Sequence, residues 1–151
     1  MSSLFPVGHA SHEDWRTAVD QVVLQLRGQL LRQSQPHRLG LVYLSQSLVA
    51  HAQELLAMLA RALPQVTDWA GSSGDTVLAM EHEYSEAPSL AVMLLDIPAA
   101  HYRVYSGVAP LAQSGVEAGF EAHSALVHSS IDQPELAELL LELSERTSSG
   151  N

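Results

Sequence analysis

The chain has 151 residues and a formal net charge of −10, because 17 aspartates and glutamates outnumber 7 arginines and lysine is absent. Such a charge argues against DNA, RNA or an anionic membrane surface as a partner. The lack of lysine excludes Schiff-base chemistry and a P-loop, and the lack of cysteine excludes disulfides, thiolate nucleophiles and cysteine-ligated metal sites.

The first predicted elements are a short extended segment at 4–7 and a long helix. Ser11 and Asp14 have the spacing of a capping pair, which indicates that a helix begins there. Apolar residues then recur at helical spacing as far as about Arg32. They form one stripe, consisting of Trp15, Val19, Val22, Val23, Leu26 and Leu30.

The following segments predict a βαβ unit. Segment 39–44 is short and apolar, which is typical of a strand covered on both faces, and segment 66–70 is predicted to be another short strand. Between them, the leucine spacing predicts a helix over 48–63 that ends at Pro64. Strands joined by such a helix run parallel. The sequence Gly-Ser-Ser-Gly at 71–74 then predicts a tight turn.

Beyond this turn the chain predicts three more extended segments, at 76–84, 89–97 and 102–108. Pro88 and Pro98 separate them. Because the connections between them are short, we expect these segments to pair as an antiparallel meander.

The C-terminal part predicts one more strand and one more helix. Residues 110–121 indicate neither, because two glycines weaken a helix there. Segment 125–128 is apolar and extended, and Asp132 with Glu135 caps a final helix with the apolar face Leu136, Leu139, Leu140 and Leu143. The expected fold is a single α/β domain with a mixed sheet, a βαβ unit, an antiparallel meander, and helices packed on the sheet.

Several stretches follow one another in an order that is typical of a known family. They are the strand 41–45, the helix 48–63, VTDWAGSSG at 66–74, EHE at 81–83, the strand 90–95 followed by Pro98, the strand 124–128 and the helix 134–146. In this order they resemble the N-terminal FIST domain, an intracellular sensory domain of bacterial signal-transduction proteins. The resemblance covers most of the chain.

The resemblance implies a domain that binds a small ligand, such as an amino acid, and acts on a signalling output protein such as a histidine kinase or chemoreceptor. In the family a second glycine-rich strand and a C-terminal FIST domain follow, and neither comes before Asn151. We therefore expect residues 1–151 to be one truncated or short FIST N-like domain. The strand position left open predicts an exposed sheet edge and a homodimer.

Two neighbouring loops are the candidate ligand site. Ligands of parallel sheets bind beyond the carboxyl ends of the strands, near helix N-termini whose free N–H groups are partly positive. Glycines allow close approach of the backbone, and hydroxyls supply donors and acceptors for a carboxylate or amide. The candidate residues are Ser45, Ser47, Gly71, Ser72, Ser73 and Gly74. The alternative is that Ser47 is only an N-cap and 71–74 only a turn.

The eight histidines leave a second function open. They are His9, His12, His37, His51, His82, His101, His123 and His128. Some members of the FIST family resemble haem-based gas sensors, and any of these histidines has the chemistry of an axial haem ligand. Their spacing selects none of them, and no His-Glu-x-x-His pattern indicates a zinc hydrolase.

Neither of two possible catalytic patterns is complete. The segment 71–74 lacks the Gly-x-Ser-x-Gly spacing of a nucleophile elbow. Glu81 and Glu83 share one face of an extended segment, where carboxylates are most often solvated. We therefore expect no enzymatic activity, and a protein-interaction fragment without a ligand of its own is the third alternative.

The sequence also predicts where the protein resides. Its longest apolar run, 90–95, is far shorter than the roughly 18 to 20 residues that cross a bilayer. The first six residues have neither the basic nor the apolar region of a signal peptide. We expect a cytoplasmic protein that does not bind membranes.

Overall fold

The computed structural model describes residues 5–34, 36–105, 122–130 and 132–147. It divides into two units, residues 1–98 and 99–151. The first unit contains β1 (Val7–Ser11), α1 (Trp15–Leu30), β2 (Leu39–Ser45), a 3₁₀ helix (Gln46–His51), α2 (Ala52–Ala62), β3 (Asp68–Gly74), β4 (Thr76–Ala79), β5 (His82–Ser85) and β6 (Ser89–Leu95).

A mixed four-stranded sheet organises the first unit. Its strand order is β1-β6-β2-β3, in which β2 and β3 are parallel and β6 is antiparallel to both β1 and β2. The connection from β2 through α2 to β3 is the predicted βαβ unit. The prediction of an α/β fold with a mixed sheet and helices packed on it is therefore confirmed.

Both helices of this unit cover the same face of the sheet. The helical spacing of the apolar residues gives α1 one buried side, where Val19, Val22 and Leu26 are fully buried. Leu55 and Leu59 of α2 join them in one core. The strands meet this core with alternate residues, which are Ala10, Val42, Leu44, Leu90, Val92 and Leu94.

A two-stranded hairpin packs on the opposite face of the sheet. Strands β4 and β5 pair antiparallel, and the chain reverses between them through Met80, whose φ of 55° lies in the left-handed region. Val77 and Ala79 of β4 are buried against Ala91 of β6. Together with the helices, this hairpin encloses the middle of the sheet between two layers.

The three extended segments after β3 do not form one continuous meander. Segment 76–84 is a hairpin rather than one strand, and its two strands form a sheet of their own. The next segment, β6, lies between β1 and β2. The reason is burial: the first four residues of β6 are buried in succession, and only an interior strand offers that environment.

Two element boundaries in the βαβ unit also differ from the prediction. The predicted strand 66–70 is shifted, so that Gly71 to Gly74 are the last residues of β3 and not a tight turn. The predicted helix 48–63 begins as the 3₁₀ helix and ends at Ala62, two residues before Pro64. Its N-terminus has no side-chain cap, so Ser47 is not an N-cap.

The second unit contains a 3₁₀ helix (Ala99–His101) and α3 (Leu136–Arg146). The predicted final helix is therefore present, although Glu135 precedes it without a side-chain cap. Segment 125–128 is not a strand, and among the described residues of this unit one isolated bridge joins Ala122 to Thr147. Residues 102–105 are not a strand either. The predictions for 106–121 lie outside the described residues.

Where the structure describes the chain, it contains no helix that is both long enough and apolar enough to cross a membrane.

Candidate functional site

A cavity of about 280 Å³ lies between α2 and the two parallel strands β2 and β3. Its floor is Val42 and Leu44, its helical wall is Val49, Ala52, Leu55 and Leu56, and its third side is the run of β3 from Trp69 to Ser73. Val49 and Leu56 are 39% and 38% exposed, so the cavity opens to solvent along the helix. It therefore has the form of an apolar cleft beside the edge strand β3.

Trp69 is the largest side chain of this cleft, and the absence of a side chain at Gly40 allows its indole to lie there. The two residues are cross-strand neighbours in the parallel ladder. A Cβ on Gly40 would overlap Cε3 and Cζ3 of the indole, so the six-membered ring of Trp69 occupies the space above Gly40. Only glycine leaves that space free.

The indole N–H of Trp69 has no acceptor. Its Nε1 is buried, and among the described residues no oxygen or nitrogen receives its hydrogen. A buried donor without a partner costs about 1–3 kcal/mol relative to a satisfied one. Because this atom is buried, Trp69 lines the cleft with carbon atoms of its ring and not with its N–H.

Gly71 brings the backbones of β2 and β3 together at the floor of the cleft. It is paired with Val42, and a Cβ at this position would overlap the carbonyl oxygen of Val42. The glycine is required here by close approach of the two chains, and not by a turn as the sequence had indicated.

Ser72 and Ser73 both line the cleft, but their side chains lie on opposite faces of the sheet. Trp69 packs against the helix-side core, and Ser73 has the same parity along β3. Ser72 is paired with Tyr43, which belongs to the hairpin side. The hydroxyl of Ser73 is therefore the one on the side of the cleft.

Ser45 and Ser47 do not line the cleft. Ser45 is buried, and its Oγ accepts a hydrogen bond of 2.9 Å from the backbone N–H of Ser89. The same Oγ lies 2.9 Å from Oγ of Ser47. The hydrogen bond to Ser89 joins the end of β2 to the start of β6, and the Ser45–Ser47 contact lies beside it. The two hydroxyls therefore stabilise the fold.

The two predicted loops are neighbours, as the parallel ladder requires: Ser45 is paired with Gly74. Gly74 nevertheless does not line the cleft. The structure thus brings Gly71, Ser72 and Ser73 to one cavity and leaves Ser45, Ser47 and Gly74 beside it. The apolar members Trp69, Val49, Ala52 and Leu56 were missed, because a hydrophobic residue in a sequence reads as core whether it lines a cavity or fills one.

Among the described residues, no charged side chain and no histidine lines the cleft. Glu83 is exposed and accepts a hydrogen bond from Ser85, and Glu81 lies in the turn before β5. His37 is buried elsewhere, and neither of its ring nitrogens has a hydrogen-bond partner within the described part of the chain. In that same part, no three metal-binding side chains are grouped together.

A second depression, of about 490 Å³, lies between the start of α1 and the outer side of α2. Arg16, Glu54 and Arg61 line it and are exposed. Its floor includes Trp15, whose ring lies 4.3 Å from the guanidinium carbon of Arg16 and stacks on His51. None of the sequence-predicted site residues is found there, and its charged rim is typical of solvated surface.

No protein-family model matches this chain, and no curated protein matches it by sequence. The class is therefore defined by the fold and the site alone: an α/β protein with an apolar cleft between the helix and the parallel strands of a βαβ unit.

Proposed function

We propose that the protein is a small-ligand sensory domain of a bacterial signal-transduction system and that the cleft between α2 and β3 binds the ligand. The observation that carries the proposal is an apolar cavity of about 280 Å³ whose wall also contains the hydroxyl of Ser73. Apolar pockets with a few polar groups that converge on them are the usual form of small-molecule sites.

The lining of the cleft indicates the chemistry of the ligand. Among the described residues no charged side chain lines the wall, so the buried part of the ligand is apolar. The exposed hydroxyl of Ser73 is available at the rim for a carbonyl or carboxyl oxygen of the ligand. An apolar amino acid or a short-chain carboxylic acid has these features.

The size of the cleft favours a small molecule. At about 280 Å³ it lies just below the range of about 300–1,000 Å³ that holds drug-sized ligands. A macrocycle such as haem is larger than this space, and among the described residues no histidine in the wall offers an axial ligand.

The sensory part of the proposal is supported by the resemblance to the FIST domain. We infer that occupancy of the cleft is passed to an output protein such as a histidine kinase or chemoreceptor. The helix α2 is the wall whose apolar residues are partly exposed, so it is the element that a ligand would order. No catalytic step is proposed for Ser72 or Ser73.

The test uses the fluorescence of Trp69. The chain has two tryptophans, so the Trp15→Phe variant leaves Trp69 as the only one. Leucine, phenylalanine and pentanoate are titrated into this variant while the emission maximum and the thermal midpoint are followed. We expect saturable emission changes and, at 100 times the dissociation constant, a stabilisation of about 2.7 kcal/mol, or several degrees.

Two serines provide the matched control. Ser73→Ala removes the hydroxyl on the side of the cleft and should weaken binding several-fold, whereas Ser72→Ala removes one on the other face and should leave binding unchanged. Equal effects of the two substitutions, or no fluorescence change with any probe, would overturn the assignment of the cleft. A hemin titration runs in parallel, and a Soret band lost on replacing one histidine would favour the haem alternative.

A further inference from the structure

The hairpin β4–β5 is joined to the sheet by two imidazoles and a phenol. His9 of β1 places its Nδ1 2.6 Å from Oη of Tyr84. Its ring centroid lies 4.7 Å from that of His82 and 5.7 Å from that of Tyr84. His82 and Tyr84, both on β5, also stack on each other. We call His9, His82 and Tyr84 the histidine clasp.

The clasp joins segments that are far apart in the chain, because 75 residues separate His9 from Tyr84. Besides the clasp, the hairpin contacts the sheet through the small cluster of Val77, Ala79 and Ala91, with Tyr43 and Tyr84 at its margin. That apolar contact is much smaller than the core under the helices. The polar clasp adds to this apolar contact in holding the hairpin on the sheet.

A proton on His9 would be poorly accommodated in this arrangement. The groups that face it are His82 and Tyr84 from β5 and, across the ladder, Ala91 of β6. From α1, the uncharged side chain of Gln25 bonds to the backbone of His9. Among the described residues, none of these contacts brings a carboxylate that would neutralise an imidazolium.

The electrostatics of the site agree with this geometry. Burial, and secondarily the charge of His82, lower the pKa of His9 below its ordinary value of 6.5. With the hairpin released, His9 regains the ordinary pKa and takes up a proton more readily. The clasp therefore has its full stability above pH 6.5 and loses it as the pH falls below that value.

We propose that the histidine clasp holds the β4–β5 hairpin on the sheet at neutral pH and releases it in acid, when His9 is protonated. Release uncovers Ala91 and Tyr43 on a face of the sheet that the ligand cleft does not use. The clasp and the cleft lie on opposite faces, so this inference is independent of the proposed function.

The test is amide hydrogen exchange of the whole chain at pH 7.5 and pH 5.5, corrected for the intrinsic exchange rates. Protection of residues 76–85 should fall at pH 5.5, because a proton on His9 favours the released hairpin, and by no more than about tenfold, since pH 5.5 lies one unit below the ordinary pKa of His9. Protection of α1 and β6 should stay constant, since the core under the helices does not open.

Variants identify the groups responsible. His9→Gln should abolish most of this pH dependence. If that variant fails to fold, His82→Gln, on the contacting strand β5, is tested in its place. His12→Gln is the matched control, because His12 is exposed and contacts the backbone of Asp14 rather than the hairpin. Equal hairpin protection at both pH values, or a pH dependence that survives in both clasp variants, would overturn the proposal.

Discussion

Gly40 is the residue on which the packing of the candidate site depends most directly. Its Cα forms the surface on which the indole of Trp69 lies, and the space of a methyl group is already filled by ring carbons. Neither residue has to be polar or reactive for this role. The contact explains why this strand contains a glycine at position 40.

The Gly40→Ala variant should therefore lower the free energy of unfolding by about 1–3 kcal/mol, since overpacking forces side chains off their rotamers. Its emission spectrum should also change, because Trp69 has to move. Gly28→Ala is the control: Gly28 is exposed within α1, and a Cβ there meets nothing within 4 Å. It should raise the stability by up to about 1 kcal/mol. Equal stabilities of the two variants in urea would contradict the assigned contact.

Replacing Ser45 by alanine and replacing Ser89 by alanine should have opposite effects on stability. Ser45→Ala removes the acceptor of the buried Ser89 N–H and should cost about 1–3 kcal/mol. Ser89→Ala keeps that N–H and removes an Oγ that is buried without a partner in the described structure, so stability should stay constant or rise. Urea unfolding of both variants tests this, and a comparable loss in each would show that Ser45 does not anchor β6.

At the scale of elements, the start of α1 shows how local chemistry sets a boundary. Asp14 has an extended backbone, and its carboxylate accepts from the N–H of Arg16 at 3.1 Å and from the hydroxyl of Thr17 at 3.1 Å. The predicted partner, Ser11, is instead the last residue of β1. One carboxylate thus satisfies the helix terminus without a second capping residue.

This cap should make the helix sensitive to acid. The hydrogen bond from the Arg16 backbone is the main cause that lowers the pKa of Asp14 from its ordinary value of 3.8. A lowered carboxyl pKa stabilises the fold above 3.8, and this contribution is lost as the pH falls through the lowered value. Asp14→Ala should therefore melt below the wild type at pH 7, and the difference should narrow as the pH falls below 3.8.

Asp14→Asn is the control for charge, because an amide still caps a helix but does not titrate in this range. Its midpoint should stay near that of the wild type at pH 7. A difference between Asp14→Ala and the wild type that is the same at pH 7 and pH 2 would mean that the carboxylate has no part in the cap.

The elements also show which features of the sequence predict structure correctly and which do not. The spacing of apolar residues predicted α1 and the βαβ unit because the helical period and the strand length are properties of neighbouring residues. Segment 71–74 was misread as a turn because glycine and serine favour turns in isolation. In the fold, the ladder to β2 holds these residues extended, and tertiary pairing overrides their local preference.

At the scale of the whole molecule, a high net charge contrasts with two uncharged candidate sites. The chain carries −10 with neutral histidines, whereas the described residues of the cleft and of the histidine clasp are uncharged. The cleft has an apolar wall, and the histidine clasp is free of carboxylates. The expected homodimer stays a prediction, and β3, which pairs on one side only among the described residues, is the edge at which sedimentation measurements would test it.

The sequence by itself determined the α/β class, the long first helix and the parallel βαβ unit, because these follow from short-range periodicity. It also indicated Gly71, Ser72 and Ser73 as candidate site residues, although it placed them in a turn and they lie in strand β3. Only the tertiary structure decided that β6 lies inside the sheet, that Trp69 and α2 enclose a cleft, and that His9 meets β5. Those arrangements join residues tens of positions apart, and such pairings depend on how strands and helices pack rather than on any local pattern.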